Sequence, residues 1–199
     1  MSKDLGLYAA IILMLISTIT CKQWSRVSNT ETSTPKTDTK EWSSYDLENT
    51  DVRIDLPGKP RDQSPVLPPA FRGVFSGMHI HSLDEKDFST AVAELIPTGK
   101  KTWKIKDLAD TSMTSLKKQL PDLTYTLDIS SETKAKYNGA FTRNGKPYDL
   151  RGCCVYKTVK PARVWAVFTL YPSDNVDLQS AGQRVIDSVV FKDSNEQCK

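Results

Sequence analysis

A strict alternation of apolar and polar side chains runs through Leu123-Thr124-Tyr125-Thr126-Leu127-Asp128-Ile129. A period of two residues places the apolar side chains on one face of a β-strand. Three further apolar-rich runs follow at 137–143, 148–158 and 164–171, and Asn144-Gly145 separates the first two. Asn-Gly between alternating runs is the strongest short signal for a β-hairpin. This part of the chain is therefore predicted to form an antiparallel meander.

Helices are predicted on both sides of this meander. Apolar residues recur every three or four positions over 105–120 and again over 178–189, which is the spacing of an amphipathic helix. A short strand at 52–56 and a hairpin of 71–83 with 88–96 are predicted before the first helix. Because helices do not alternate one-for-one with strands, the predicted fold class is α+β, with a central antiparallel sheet flanked by helices.

Two segments near the ends of this region carry a family resemblance. Asp55-Leu56-Pro57-Gly58-Lys59-Pro60 opens it, and Arg184-Val185-Ile186-Asp187-Ser188-Val189-Val190-Phe191 closes it. Over residues 44–191 the chain resembles PsbP-like domains, which are small exported bacterial and photosynthetic domains. The resemblance implies a central antiparallel sheet flanked by helices. It also implies an accessory or interaction subunit and no particular activity.

The N-terminus has the features of an export signal. Lys3 precedes an apolar run that ends at Cys21, and the run is short for a membrane span but suits a signal peptide. It resembles a bacterial lipoprotein signal, in which the cysteine becomes the lipidated first residue. We predict a signal peptide at 1–20, lipidated Cys21 with a disordered tether to 41, one domain at 42–192 and a tail at 193–199. A non-lipidated signal cut nearby and an uncleaved anchor are the alternatives.

The remaining cysteines are Cys153, Cys154 and Cys198. In an oxidising compartment, one disulfide with one spare thiol is the simplest outcome. Neighbouring residues of a strand face opposite sides of the sheet, so at most one of the adjacent pair is oriented toward Cys198. We take Cys154–Cys198 as the candidate disulfide. A vicinal Cys153–Cys154 disulfide, inert buried thiols and a redox role are the alternatives.

His79 and His81 are the two histidines in the chain. Their spacing puts both imidazoles on one face of a predicted strand, where Asp84 or Glu85 could supply a third metal ligand. A solvated strand face is the simpler interpretation, and we predict no metal site and no cofactor. No serine-nucleophile, zinc-protease or phosphate-loop motif is present in the sequence, so no catalytic residue is assigned.

Four lysines surround a tryptophan just before the first predicted helix, in Lys100-Lys101-Thr102-Trp103-Lys104-Ile105-Lys106. Cations at a helix N-terminus oppose the macrodipole, at about 0.3–1 kcal/mol each, so stability does not favour them. The functional hypothesis is a contact with anionic lipid headgroups or an acidic partner through Lys100, Lys101, Trp103, Lys104 and Lys106, with Trp103 as the amphipathic anchor. A solvated loop with Trp103 folded back on the core is the simpler interpretation.

Composition narrows the class of function. The formal net charge is +3, which is too small for a nucleic-acid binder, so no nucleic-acid partner is expected. The expected partners are a membrane, through the N-terminal lipid, and an unidentified protein. The sequence therefore indicates a non-enzymatic, lipid-anchored domain outside the cytoplasm that acts through protein contact. A carrier or sensor of a small apolar ligand is the alternative.

Overall fold

Strands outnumber helices in the computed structural model, which describes residues 41–199 apart from 68, 70, 71, 100–102, 159, 193, 195, 196 and 199. In this part of the chain there are ten strands and two helices. The strands are β1 (Ser43–Asp46), β2 (Val52–Leu56), β3 (Arg61–Asp62), β4 (Phe75–Asp84), β5 (Ser89–Pro97), β6 (Thr124–Ile129), β7 (Lys134–Arg143), β8 (Lys146–Lys157), β9 (Arg163–Pro172) and β10 (Val190–Phe191). The helices are α1 (Ile105–Gln119) and α2 (Val176–Ser188).

Seven strands form the main sheet, in the order β3-β4-β5-β9-β8-β7-β6. Every neighbouring pair is antiparallel. The predicted meander is β6 to β9, and Asn144 and Gly145 make the β7–β8 turn with φ angles of 51° and 76°, as a tight hairpin turn requires. The prediction of an α+β fold with an antiparallel sheet is confirmed. The fold is dominated by its sheets, and the helices flank them less clearly than expected.

One face of the main sheet is covered by α1, and we call it the α1 face. Ile105, Leu108 and Met113 point from the helix into a continuous apolar core with residues of β4 to β9. The ring of Tyr137 crosses β8 at Gly152, where an added Cβ would lie 2.2 Å from the ring. Its hydroxyl donates a hydrogen bond of 2.9 Å to the carbonyl oxygen of Val167. This face is therefore closely packed and almost wholly apolar.

The opposite face, here called the α2 face, is covered by two elements. The small sheet has the order β1-β2-β10, and α2 packs on β8, β9 and β2. Trp165, Tyr171, Val185 and Phe191 belong to the buried cluster between these layers. The strand β1 was not predicted, and β10 completes this small sheet by pairing with β2. The predicted tail is also attached, because Gln197 forms a bridge with Val190.

Predictions about the N-terminus lie outside the described residues. These are the signal peptide, lipidated Cys21 and the tether up to residue 40. Among residues that the structure does describe, neither helix is both long and apolar enough to cross a membrane.

Candidate interaction surface

In the lysine-rich segment 100–106, Lys104 lies at the surface and Trp103 lies in the core. Lys100 and Lys101 lie outside the described residues. Trp103 is only 4% exposed and belongs to the core of the α1 face, where it stacks on Phe75 with ring centroids 5.5 Å apart. Its proposed role as an exposed anchor is wrong, because an indole packed against the sheet cannot enter a membrane interface. Lys104 is exposed.

The exposed lysines border an open groove at the start of α1, which we call the α1 groove. Lys104 is the N-cap residue and makes no side-chain capping hydrogen bond. Lys106 pairs with Asp110 on the next turn, with Nζ 2.7 Å from Oδ2. The groove has a volume of about 560 Å³ and is lined by Trp103, Lys104, Ile105, Lys106, Ile129, Ser131, Glu132, Thr133 and Thr158. The side chains of Lys104 and Lys106 are both exposed at this groove.

The disulfide joins Cys153, not Cys154, to Cys198. The choice of Cys154 was therefore wrong. Alternation along β8 turns Cys153 toward the α2 face, where the C-terminal segment lies, and turns Cys154 into the apolar core of the α1 face. Cys154 is a free, buried thiol, and burial raises its pKa to about 12. Since the thiolate is the reactive species, this cysteine is an inert core residue at neutral pH.

The two histidines lie on β4, where His79 is half-buried and His81 is buried. His81 is 4% exposed, and its Nε2 atom lies 3.0 Å from the carbonyl oxygen of Glu48. Within the described ranges, no group of three or more histidine, cysteine, aspartate or glutamate side chains is arranged to hold a metal ion. His81 instead ties the β1–β2 loop to the main sheet.

A buried ion pair between Glu94 and Arg163 lies near the contact of His81 with Glu48. It was not predicted from the sequence. Glu94 on β5 is 1% exposed, and its Oε1 atom lies 2.7 Å from Nε of Arg163, although Nε–H is not aligned for a hydrogen bond. Oε2 accepts a hydrogen bond of 3.1 Å from the backbone N–H of Asp51. Burial raises the pKa of Glu94, against the opposing effects of the Asp51 amide and the Arg163 charge. The sequence does contain a signal for this pair. Glu94 is a single carboxylate inside the otherwise apolar run 91–95, and a charge that is buried with such a run needs a partner.

The α2 face is open over the end of the main sheet. Arg151 lies beside α2, where its Nη1 donates a hydrogen bond of 2.7 Å to Oε1 of Gln183. Arg151 is paired in register with Asn138 on β7, and Asn138 with Thr126 on β6, so the three side chains share this face. Asn138 and Thr126 are exposed, which means that α2 stops short of these two strands.

This open area forms a shallow recess of about 360 Å³. We call it the sheet recess, and it is lined by Thr124, Tyr125, Thr126, Asn138, Gly139, Ala140, Asp149, Leu150 and Arg151. Both charged side chains of the lining make hydrogen bonds to neighbouring residues. Arg151 donates one to Gln183, and Asp149 accepts one of 2.7 Å from the hydroxyl of Ser173. The recess thus presents fixed polar groups on a rigid strand surface. None of these residues was singled out from the sequence as a site, because what brings them together is the register across three neighbouring strands.

The fold is similar to that of several solved structures. LpqN, involved in cell envelope biogenesis of Mycobacterium tuberculosis, is 15% identical with a TM-score of 0.43, covering 75% of this chain and 90% of that chain. The Ran-binding protein Mog1p of Saccharomyces cerevisiae is 9% identical with a TM-score of 0.46, covering 77% and 97%. The cyanobacterial PsbP of Synechocystis is 14% identical with a TM-score of 0.42, covering 80% and 98%.

Sequence comparisons add no family to these structural similarities. No protein-family model and no curated protein matches the chain. Its function is therefore inferred from its own sequence and surfaces.

Proposed function

We propose that this chain is an exported, lipid-anchored domain that binds a protein partner outside the cytoplasm and catalyses no reaction. The observation that carries the proposal is the sheet recess, a rigid and open surface of hydrogen-bonding side chains. Arg151 and Asp149 are already held by Gln183 and Ser173. Groups that are ordered before binding lose less entropy when a partner docks, which favours affinity.

The shape and polarity of the recess favour a protein over a small molecule. Small-molecule sites are concave, mostly apolar and enclose most of the ligand. The sheet recess is shallow, and it combines threonine and asparagine side chains with one arginine and one aspartate. Protein interfaces use polar side chains of this kind, at roughly one hydrogen bond per 100–200 Å².

The alternative function, a carrier of an apolar ligand, has less support. Such a ligand was expected to lie between the sheet and a helix. That space is filled below α1 by Phe75, Trp103, Met113 and Leu116, all of them buried in one core cluster. The α1 groove has more apolar lining, but Lys104, Lys106 and Glu132 border it. We therefore rank protein binding first and ligand carriage second.

The anchor and the lysines complete the proposal. A lipid on Cys21 and a polar tether would hold the domain near a membrane, where a weak binder gains from increased local concentration. Lys104 and Lys106, with Lys100 and Lys101 before them in the sequence, would then contact anionic headgroups. We expect Lys104→Glu with Lys106→Glu to weaken binding of the full chain to phosphatidylserine vesicles at low salt. Unchanged binding would remove the lysines from the proposal.

The proposal is tested by crosslinking in the native host, followed by purification of the full-length chain from membranes and identification of what accompanies it. We expect one stoichiometric protein, which is lost when Asn138→Arg fills the sheet recess. Thr114→Arg is the matched control, because Thr114 is exposed on α1, away from the recess. Cys21→Ser should release the chain from membranes and reduce capture. A partner that is retained with Asn138→Arg would refute the recess as the binding surface. A clean monomer carrying a small ligand would support the alternative.

A further inference from the structure

The two charged side chains of the sheet recess lie close together without forming an ion pair. Asp149 and Arg151 are two positions apart on β8, so both point to the α2 face, about 7 Å apart along the strand. The ion pairs found among the described residues do not include one between them. Each charge is instead hydrogen-bonded to a separate element, Asp149 to Ser173 beyond β9 and Arg151 to Gln183 on α2. The recess therefore presents a negative and a positive group side by side.

Both charged groups are held in place and still have hydrogen-bonding capacity. Nε2 of Gln183 donates a hydrogen bond of 3.1 Å to Oδ1 of Asp187, so the amide oxygen of Gln183 is directed to Arg151. The contacts formed among the described residues occupy one guanidinium nitrogen of Arg151 and one carboxylate oxygen of Asp149. Further donors on Arg151 and a further acceptor on Asp149 therefore remain for a ligand.

Strand register extends Arg151 into a row of hydrogen-bond donors. Arg151 is in register with Asn138 on β7, and Asn138 with Thr126 on β6. We call these three residues the arginine row. The guanidinium, the amide and the hydroxyl can all donate hydrogen bonds, and guanidinium groups bind carboxylates through paired hydrogen bonds. The arginine row is therefore suited to an acidic side chain.

A second row, parallel to the first, contains Asp149. This residue is in register with Ala140 on β7, and Ala140 with Thr124 on β6. We call these three residues the aspartate row. Ala140 is exposed and small, which leaves space beside the carboxylate for a long side chain. The hydroxyl of Thr124 donates a hydrogen bond of 3.3 Å to the carbonyl oxygen of Ala140, so the hydroxyl oxygen can itself accept one. The aspartate row is therefore suited to a basic side chain.

We propose that the sheet recess binds an extended segment of a protein partner in which an acidic and a basic side chain stand two positions apart. The acidic side chain would lie on the arginine row and the basic one on the aspartate row. Alternate side chains of an extended segment point to one side, about 7 Å apart, which is the separation of the two rows. This inference rests on the proposed function and adds the charge pattern that the partner must carry.

Charge complementarity favours this ligand over a single ion or a free amino acid. An inorganic anion attracted by Arg151 would be repelled by Asp149 beside it. A free amino acid carries its two charges close together and cannot reach both rows. An extended segment with both charges meets an opposite charge at each row, and the order of the two side chains also fixes the direction in which the segment lies. Complementary charges of this kind determine which partner binds more than how tightly it binds.

The test is zero-length crosslinking of the full-length chain in host membranes with a carbodiimide, which joins an amine to a carboxyl group in direct contact. Arg151→Lys places an amine on the arginine row, and we expect it to form an amide bond with an aspartate or glutamate of the partner. Peptide mass spectrometry identifies that residue. We expect a lysine or arginine two positions from it in the partner sequence, and a linked acidic residue without such a neighbour would overturn the proposal.

Affinity measurements with the captured partner provide a second readout. Arg151→Gln and Asp149→Asn should each weaken binding about tenfold, with a reduced dependence on salt. Lys146→Gln is the matched control and should leave the affinity unchanged. It removes one positive charge from the same strand, but Lys146 is exposed at the start of β8, where alternation with buried Tyr148 and Leu150 places it on the α1 face. Unfolding midpoints of the variants separate a lost contact from a lost fold.

The outcomes distinguish this inference from the proposed function on which it rests. A partner that is lost with Asn138→Arg but keeps its affinity for Arg151→Gln and Asp149→Asn would overturn the charge pattern and leave the proposed function standing. The absence of any partner, with a longer crosslinker as well as with the carbodiimide, would overturn both.

Discussion

The two faces of the main sheet are held by different forces. On the α1 face, one helix packs its apolar side chains on the strands, and the cluster contains a free thiol and no ion pair among its described members. On the α2 face, the layer contains the Cys153–Cys198 disulfide and adjoins the Glu94–Arg163 ion pair. Trp165 Nε1, Thr169 Oγ1 and Tyr171 Oη are buried on this side of β9 without a hydrogen bond.

The difference follows from where each layer lies in the sequence. The helix α1 is followed almost directly by β6 to β9, so its contacts close short loops. The α2 face brings β1 and β2 together with α2, β10 and the segment ending at Cys198, from opposite ends of the described chain. Closing such long loops costs more entropy. We infer that the disulfide compensates for part of this cost on the α2 face.

The largest expected effect comes from removing the covalent link. Cys153→Ala with Cys198→Ala opens a loop with a sequence separation of 45 residues, which should lower the free energy of unfolding by about 4 kcal/mol. Urea unfolding of the full-length chain measures this loss. Cys154→Ala is the matched control on the α1 face and should cost about 1 kcal/mol, the transfer free energy of a small buried group. Equal losses from the two changes would contradict the comparison of the faces.

Local periodicity explains which elements were predictable. The strands β6 to β9 and both helices were predicted because alternation and helical spacing are properties of consecutive residues. The strand β1 was not predicted, since Ser43–Asp46 contains one apolar side chain, Tyr45. Its place depends on pairing with β2, and β2 pairs in turn with β10 near the C-terminus. No local pattern encodes that long-range pairing.

The site residues were harder to predict for the same reason. Alternation indicated that Cys153 and Cys154 face opposite ways, but the choice between them depended on which face receives the C-terminal segment. The lysines around Trp103 suggested an exposed anchor, yet the indole fits a gap beside Phe75 that exists only in the folded sheet. The sheet recess depends on register across three strands. Sequence reasoning could identify residue types but not these juxtapositions.

The next largest effect should come from breaking the ion pair on the α2 face. Arg163→Met leaves the buried carboxylate of Glu94 without its counter-charge, at an expected cost of about 3 kcal/mol. Adding Glu94→Gln removes that charge while keeping an acceptor for the Asp51 amide, so the double variant should recover most of the loss. Urea unfolding of the wild type, both single variants and the double variant closes the cycle. Additive losses would show that the two side chains are not coupled.

The smallest effect is a pH dependence that Glu94, on the α2 face, should contribute. Burial raises the pKa of Glu94 above 4.5, so the folded state binds this proton more tightly than the unfolded state. Its contribution to stability is present below pH 4.5 and is lost as the pH rises through the raised pKa. Asp84, whose pKa is also raised by burial, adds a slope of the same sign. The difference between wild type and Glu94→Gln therefore isolates Glu94.

Two other groups should not obscure this slope. The Arg53 and Lys192 side chains lower the pKa of Asp46 from 3.8 to about 2, so its contribution is lost only as the pH falls through that lower range. On the α1 face, the pKa of Cys154 is about 12, and Cys154→Ala should run parallel to wild type at every acidic and neutral pH. Urea midpoints measured between about pH 4 and pH 7 cover the window in which a buried carboxylate titrates. A Glu94→Gln curve parallel to wild type would mean that the Asp51 amide and the Arg163 charge offset the burial of Glu94 completely, and Glu94 would then contribute no pH dependence.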